Sequence, residues 1–203
     1  MPAGPVCLLE PIWEQFCVLL PSYPAVDPTH PLGCHRRRIP DRVVFEQVVA
    51  SLVHGSGYER IATAGWSDHT IRRRLHQWAE AGLTQRLHEL VLAQYDRMIG
   101  LDVTNLAVDG CITKAPGGGE KAGRSLVDRG KQGLKRATVT DATGVPLHLV
   151  SAGANRHDSP LLGPARAGLP AVGPSTAGST VHLDRAFDNG PSRALLDELA
   201  SMG

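Results

Sequence analysis

The sequence predicts an α/β chain in two parts: an all-helical stretch with a helix-turn-helix-like unit over residues 1–100, and a mixed-sheet domain over residues 101–203. Three observations predict it. In the first hundred residues, apolar side chains recur at helical spacing between Gly and Pro stops. Beyond residue 100 the texture changes to short apolar or alternating runs separated by turn residues. Two of those runs, in LAVDGC and VHLDRAFD, each end on an aspartate, Asp109 and Asp184. A chain of 203 residues that is 42% apolar can bury one large core or two small ones.

Ile12 to Leu20 reads as a short apolar helix closed by Pro21, and the Pro-rich stretch to Pro40 reads as a loop ending in His35-Arg36-Arg37-Arg38. Asp41 opens a helix with Val44, Val48 and Leu52 on one face, stopped by Gly55 and Gly57. A short helix over 58–64 breaks at Gly65. Ser67 or Asp68 then caps a second helix that points Ile71, Leu75 and Trp78 inward and leaves Arg72, Arg73, Arg74 and Gln77 outside. Short helix, turn and longer basic helix is the helix-turn-helix layout, in which Arg of the second helix reaches base edges or phosphates in a major groove. Gly82 ends that helix, and a last one runs from Thr84 to Gly100 with Leu87, Val91 and Tyr95 in register.

In the second part, Asn105 to Val108 reads as a strand ending at Asp109, and Leu134 to Thr140 as an alternating strand. Asp141 to Gly144 reads as a turn into a strand over Val145 to Ser151. Ser159 to Ala167 is a short helix despite Pro164, a Gly/Pro/Ser/Thr loop spans Leu169 to Ser179, Thr180 to Leu183 is a strand, and Ser192 to Ala200 is a helix. The resulting order, βββαβα, begins an α/β domain.

Formal net charge is +1, so local charge rather than a whole-molecule field must speak for any polyanion. From Arg36 to Arg74, eight arginines (36, 37, 38, 42, 60, 72, 73 and 74) face four acids (Asp41, Glu46, Glu59 and Asp68). From Lys114 to Arg136, seven bases (Lys114, Lys121, Arg124, Arg129, Lys131, Lys135 and Arg136) face Glu120 and Asp128. Either run suits DNA phosphates, with a solvated face as the bland alternative. Cys7, Cys17, Cys34 and Cys111 form no C-x-x-C pair and have no regular spacing, so neither a zinc knuckle nor a disulfide framework is suggested. The N-terminus carries Glu10, Pro11 and Glu14 without a basic leader, and no run nears the roughly 18 apolar residues of a membrane span. A soluble, cytoplasmic protein is expected.

Carboxylates at the ends of buried strands are poor packing choices and good ligands for a hard cation such as magnesium. Asp109 and Asp184 suit a metal site acting on phosphodiesters if their strands are neighbours. Each also has a structural reading: Asp109 before Gly110 starts a turn, and Asp184 caps the helix beginning near Pro191. His157 and Asp158 follow the third strand, and His182 lies two residues before Asp184 on the same strand face. They are auxiliary candidates, as proton relays or metal neighbours, although the favoured reading of either histidine is a hydrogen-bonded structural residue; zinc held by His182, Asp184 and His157 is a further alternative. The segment GGEKAGRS has P-loop spacing, but Arg124 stands where Lys is required and no helix follows. It reads instead as a flexible basic loop against phosphates.

The run VDGCITKAPGGGEKAGRSLVDRGKQGLKRATVTDATGVPLHLVSAGANRHDSPLL resembles the catalytic core of bacterial insertion-sequence DDE transposases of the IS-five type. WEQFCVLLP, IPDRVVFEQVVASLVHGSGYERIA and HQWAEAGL resemble the helical domain that precedes it. The resemblance implies an RNase H-like fold for the second part. It also implies magnesium- or manganese-dependent cleavage and strand transfer at terminal inverted repeats by a homo-oligomer on DNA. Asp109 and Asp184 match the first and second catalytic, metal-binding aspartates. Lys131, Lys135 and Arg136 fall in the basic DRGKxGxKR stretch, and Asn155, His157 and Asp158 in the NxHDS segment. Arg72, Arg73, Arg74, Lys114, Lys121 and Arg124 complete the expected DNA-binding set. The family's third carboxylate, a Glu, belongs on a helix well beyond the second Asp, and Glu198 lies on the wrong element to replace it. The RNase H-like domain is therefore expected to lack its C-terminal part, as a truncated copy or one continued by frameshifting. The rival expectation is a non-catalytic DNA-binding regulator of transposition.

Overall fold

The computed structural model describes residues 4–23, 38–62, 65–169, 175–176 and 178–201, and for 199–201 the backbone alone. Cys34, His35, Arg36 and Arg37 of the sequence argument lie outside the described residues. The chain divides into two compact units, Met1–Val91 and Leu92–Gly203.

The first unit is helical: α1 Val6–Leu19, α2 Asp41–His54, α3 Tyr58–Ile61, α4 Asp68–Glu80 and the start of α5, Leu83–Met98. α1 begins six residues before the expected Ile12 and runs through Pro11, which removes one backbone donor without ending the helix. α2 stops where Gly55 takes a left-handed cap at φ 58°. The core is built on aromatic rings. Phe16 lies edge-on to Trp78 at 4.8 Å between centroids and stacks on Phe45 at 5.5 Å, while Trp13 meets Phe45 at 5.3 Å. Val44, Ile71 and Leu83 close the cluster.

Leu52 does not share the face of Val44 as expected and is exposed. Eight helical residues advance the face by about 80° beyond two full turns, so the stripe of Phe45 and Val49 turns inward instead. On α5 Leu92 is buried and Val91 is exposed, because Leu92 packs with Tyr95 into the second unit's core whereas Leu83 and Leu87 belong to the first unit's cluster. Ser67 occupies the N-cap position of α4, but its hydroxyl meets the Thr70 hydroxyl (3.1 Å) rather than a backbone N–H.

The second unit is a mixed five-stranded sheet with helices: β1 Asn105–Lys114, β2 Gly123–Arg124, β3 Gln132–Thr140, β4 Pro146–Gly153, α6 Ser159–Ala167, β5 Thr180–Leu183 and α7 Gly190–Ser201. β3 lies antiparallel between β1 and β4, and β5 pairs parallel with the outer side of β1. β2 pairs with Gln132 and Gly133 just past Leu134, where the β3–β4 ladder ends, so it prolongs the row that β4 leaves. Two residues are too few to show a strand's alternation, so β2 has no signature in the sequence.

One sheet face is packed. Leu106 and Val108 of β1, Ala137 and Val139 of β3, and Val181 and Leu183 of β5 meet Leu161, Leu162 and Ala165 of α6, Leu195 and Leu196 of α7, and Phe187. The β3–β4 turn is tied down by Asp141, which is 2% exposed. Its Oδ1 accepts hydrogen bonds from Thr143 N (2.9 Å), Thr143 Oγ1 (2.8 Å) and Val145 N (2.8 Å), and its Oδ2 from Asp102 N (3.2 Å). Burial pushes this carboxyl up, but the four donors outweigh burial and hold it below the usual carboxylate range.

Candidate functional site

Asp109 is not at the end of its strand. β1 continues five residues beyond it to Lys114, paired throughout with β3, so Asp109 sits mid-strand opposite Thr138. Alternation sends Leu106, Val108, Gly110 and Ile112 toward the packed face and Asn105, Ala107, Asp109, Cys111 and Thr113 to the other, where those five are exposed. Among the described residues the Asp109 carboxylate has no hydrogen-bond or ion-pair partner.

Asp184 follows β5 directly. The parallel register ends with Val108 opposite Leu183, so Asp109 within β1 and Asp184, the first residue past β5, each come one step after the last pair. Asp184 does not cap α7, as the structural reading supposed. Its Oδ1 accepts from Ala186 N (2.9 Å) and Phe187 N (3.1 Å) and caps the turn between β5 and α7. α7 is capped by Asn189, whose Oδ1 accepts from Ser192 N at 3.1 Å and whose Nδ2 donates to Ser159 Oγ. Asn189 was missed by sequence reasoning, although an Asn before Gly-Pro-Ser is a readable helix start.

His182 shares the open face with Asp184 and meets Asn105 Oδ1 at 3.0 Å. His157 is exposed. Among the described residues no three His, Cys, Asp or Glu side chains come together, so the zinc set His182, Asp184 and His157 is not assembled and Glu198 does not join the two aspartates.

The basic candidates separate into groups. Arg136 pairs across the ladder with Cys111, two register pairs along from Thr138, and so shares the face of Asp109, where it is half-buried. Lys135 points to the packed face, where its Nζ donates to Asp158 Oδ2 at 3.0 Å and its side chain is 10% exposed. The structure therefore corrects the grouping of Lys135 with surface phosphate contacts. The signal was in the sequence: in GLKRATVT, Lys135 has the parity of Ala137 and Val139, which face the core. Asp158 in turn lies under β1; a Cβ at Gly110 would stand 3.2 Å from its Oδ1 and 3.3 Å from Phe187 Cε2.

Lys114, Lys121, Arg124 and Lys131 are exposed. Lys131 reaches Asp128 at 3.5 Å. GGEKAGRS lacks the strand-to-helix context of a phosphate-binding P-loop, since Gly123 and Arg124 are β2 and the chain goes on into β3. On α4, Arg72 and Arg73 are exposed, with Arg72 bonded to Asp68 (3.3 Å) and Glu59 (2.9 Å). Arg74 corrects the expectation. It is 4% exposed and bonds the Asp41 carboxylate, with Arg38 3.7 Å from the same oxygen. Its position, three residues past Ile71 and four before Trp78, lies on the buried side of the helix.

Among the described residues no helix is long and apolar enough to cross a membrane. Residues 104–203 match the family of transposase DDE domains. The chain is also similar to an uncharacterized 16.2 kDa protein of insertion element IS402 from Burkholderia cepacia, 41% identical over 56 residues. That similarity covers 28% of this chain and 38% of the relative, so the chain spans well under half the length of the curated protein it matches. No solved structure matches. Asp109 and Asp184 both lie inside the matched segment, so residues 104–203, just under half of the chain, are similar to transposase DDE domains and carry both aspartates.

Proposed function

We propose that the protein is a transposase of the IS-five type that binds the terminal inverted repeats of its element and carries out metal-dependent cleavage and strand transfer of DNA, acting as a homo-oligomer. The observation that carries this reading is that Asp109 and Asp184 each come one step beyond the last register pair, Val108 with Leu183. The mixed sheet, an antiparallel meander followed across a helix by a parallel strand, supports an RNase H-like domain. The exposed Arg72 and Arg73 beside the single turn of α3 support a helix-turn-helix-like contact in the first unit.

Two carboxylates open to solvent fit magnesium or manganese, which bind one or two protein carboxylates and fill their remaining positions with substrate phosphate and water. Asp109 and the Asp184 oxygen left free of the turn would hold the ion. When bound it supplies nucleophile activation and neutralisation of charge on the leaving oxygen. The chain's own part is to orient the substrate. The sheet fixes Asp109, the turn fixes Asp184, and Arg136 on the same face supplies positive charge for a neighbouring phosphate.

The test uses purified protein, a supercoiled plasmid bearing the terminal repeats that flank its coding sequence, and magnesium. Wild type should nick it, and Asp109→Ala should reduce nicking at least about 100-fold, equivalent to ~3 kcal/mol of transition-state stabilisation. Because Asp109 is exposed, the variant should keep its stability within about 0.5 kcal/mol, whereas Asp184→Ala should lose about 1 kcal/mol with its turn cap. Repeat-specific binding without magnesium-dependent nicking would overturn the cleavage reading and assign the chain to a DNA-binding regulator.

A further inference from the structure

Between β2 and β3 the chain makes a closed loop with an unusual tip. Ser125 N donates to Lys131 O (2.9 Å), Gly130 N to Ser125 O (3.0 Å) and Lys131 N to Asp128 O (3.0 Å). The Ser125 hydroxyl, buried beneath, accepts from Asp128 N at 3.1 Å. Arg129 and Gly130 turn the chain with positive φ of 52° and 71°. The base of the hairpin is seated too: Asn155 inserts its amide between Gly123 and Gly153, so that a Cβ at Gly123 would collide with its Oδ1.

This fixed frame presents two consecutive apolar side chains to solvent, Leu126 at 76% exposure and Val127 at 84%. They are flanked by the exposed Arg124, Arg129 and Lys131, with Asp128 as the acid in the loop. An apolar pair exposed to that degree on a braced loop is a poor solvated tip. A collar of cations around an apolar point suits a polyanion that offers both phosphates and stacked apolar surface, which is duplex DNA. Side chains such as Leu enter between base steps in the minor groove while Arg and Lys hold the adjacent phosphates.

We propose that Leu126 and Val127 form a wedge that enters a base step of the bound duplex, with Arg124, Arg129 and Lys131 gripping the flanking phosphates. This rests on the transposase reading for the identity of the duplex, but it is a contact separate from the acidic pair. From Thr138, opposite Asp109, to Gln132 at the foot of the hairpin is six strand residues, about 20 Å at ~3.3 Å each. The wedge therefore distorts DNA at a distance from the reacting phosphate.

The probe is a terminal-repeat duplex carrying 2-aminopurine at successive positions, bound by the full chain without metal. Its fluorescence should rise at one step on binding wild type. Leu126→Ser with Val127→Ser should abolish the rise and leave the salt dependence of binding unchanged, since no cation is lost. Arg124→Ala with Arg129→Ala should instead lower the log–log salt slope by about 2. Both changes are on exposed residues, and thermal melting checks that the fold is kept. A duplex bound with no fluorescence rise at any position, or a rise retained by the Leu126/Val127 variant, overturns the wedge. So does a tip variant that changes protein self-association while binding DNA as wild type does, which would make the tip a protein contact. Asp109→Ala should keep the fluorescence rise. If nicking is absent in wild type while the rise is present, the cleavage reading alone falls; if no duplex is bound at all, both fall.

Discussion

Replacing Asp41 with alanine removes the carboxylate that neutralises a buried guanidinium. Arg74 has 5% of its side chain exposed and Asp41 14%, so water cannot take over when the partner is lost, and Arg38 nearby adds like charge. Breaking a buried ion pair from one side costs about 3–5 kcal/mol. A unit the size of Met1–Val91 loses roughly 4–8 °C of melting temperature per kcal/mol, so the first unit should melt at least about 12 °C lower. All three tryptophans, Trp13, Trp66 and Trp78, lie in that unit, so tryptophan fluorescence during urea or thermal unfolding reports on it selectively. Arg73→Ala, on the exposed side of the same helix, should change stability by no more than about 0.5 kcal/mol and act on DNA binding instead. Asp41→Leu combined with Arg74→Met should recover most of the loss, because no charge is left buried. If Asp41→Ala unfolds at the same urea concentration as Arg73→Ala, the pair is not buried and the assignment of Arg74 to the core is wrong.

Asp141→Asn should destabilise the second unit by at least about 2 kcal/mol, measured by urea titration, because an amide cannot replace a carboxylate accepting four hydrogen bonds. The folded carboxyl lies below its unfolded value of about 3.9, so its contribution is complete above that pH and is lost as pH falls through the lower folded value. Acid titration of Asp141→Asn should show a shallower stability decline in that window than wild type, and identical slopes would refute the assignment. Gly123→Ala should loosen the basic hairpin, costing about 1–3 kcal/mol locally and speeding tryptic cleavage at Arg124, Arg129 and Lys131. Asn155→Ala in the same chain should relieve the collision and slow cleavage again; unaltered digestion kinetics in Gly123→Ala would mean that Asn155 does not seat the hairpin.

The NxHDS segment shows how a run of residues that resists reading from sequence becomes legible once folded. Asn155 seats β2, Asp158 neutralises Lys135 beneath Gly110, and Ser159 receives Asn189 from the start of α7. Each of these partners lies more than twenty residues away in sequence. Their geometry is invisible to local periodicity, whereas the residues that follow periodicity, Ile71 and Trp78 on α4 or Thr180–Leu183 in β5, were placed correctly by it.

The sequence by itself determined the change from helices to mixed sheet and most of the element positions, because these follow from short-range hydrophobic spacing and turn residues. Only the tertiary structure decided which charges act at a surface. Arg74 is held by Asp41 from thirty-three residues upstream, and Lys135 by Asp158 from twenty-three downstream, while Arg136 next to it faces the open sheet. It alone brought β5 beside β1 in the register that puts Asp109 and Asp184 each one step past its last pair. A charge's environment depends on what the rest of the chain packs against it, and that is fixed by long-range pairing rather than by its neighbours in sequence.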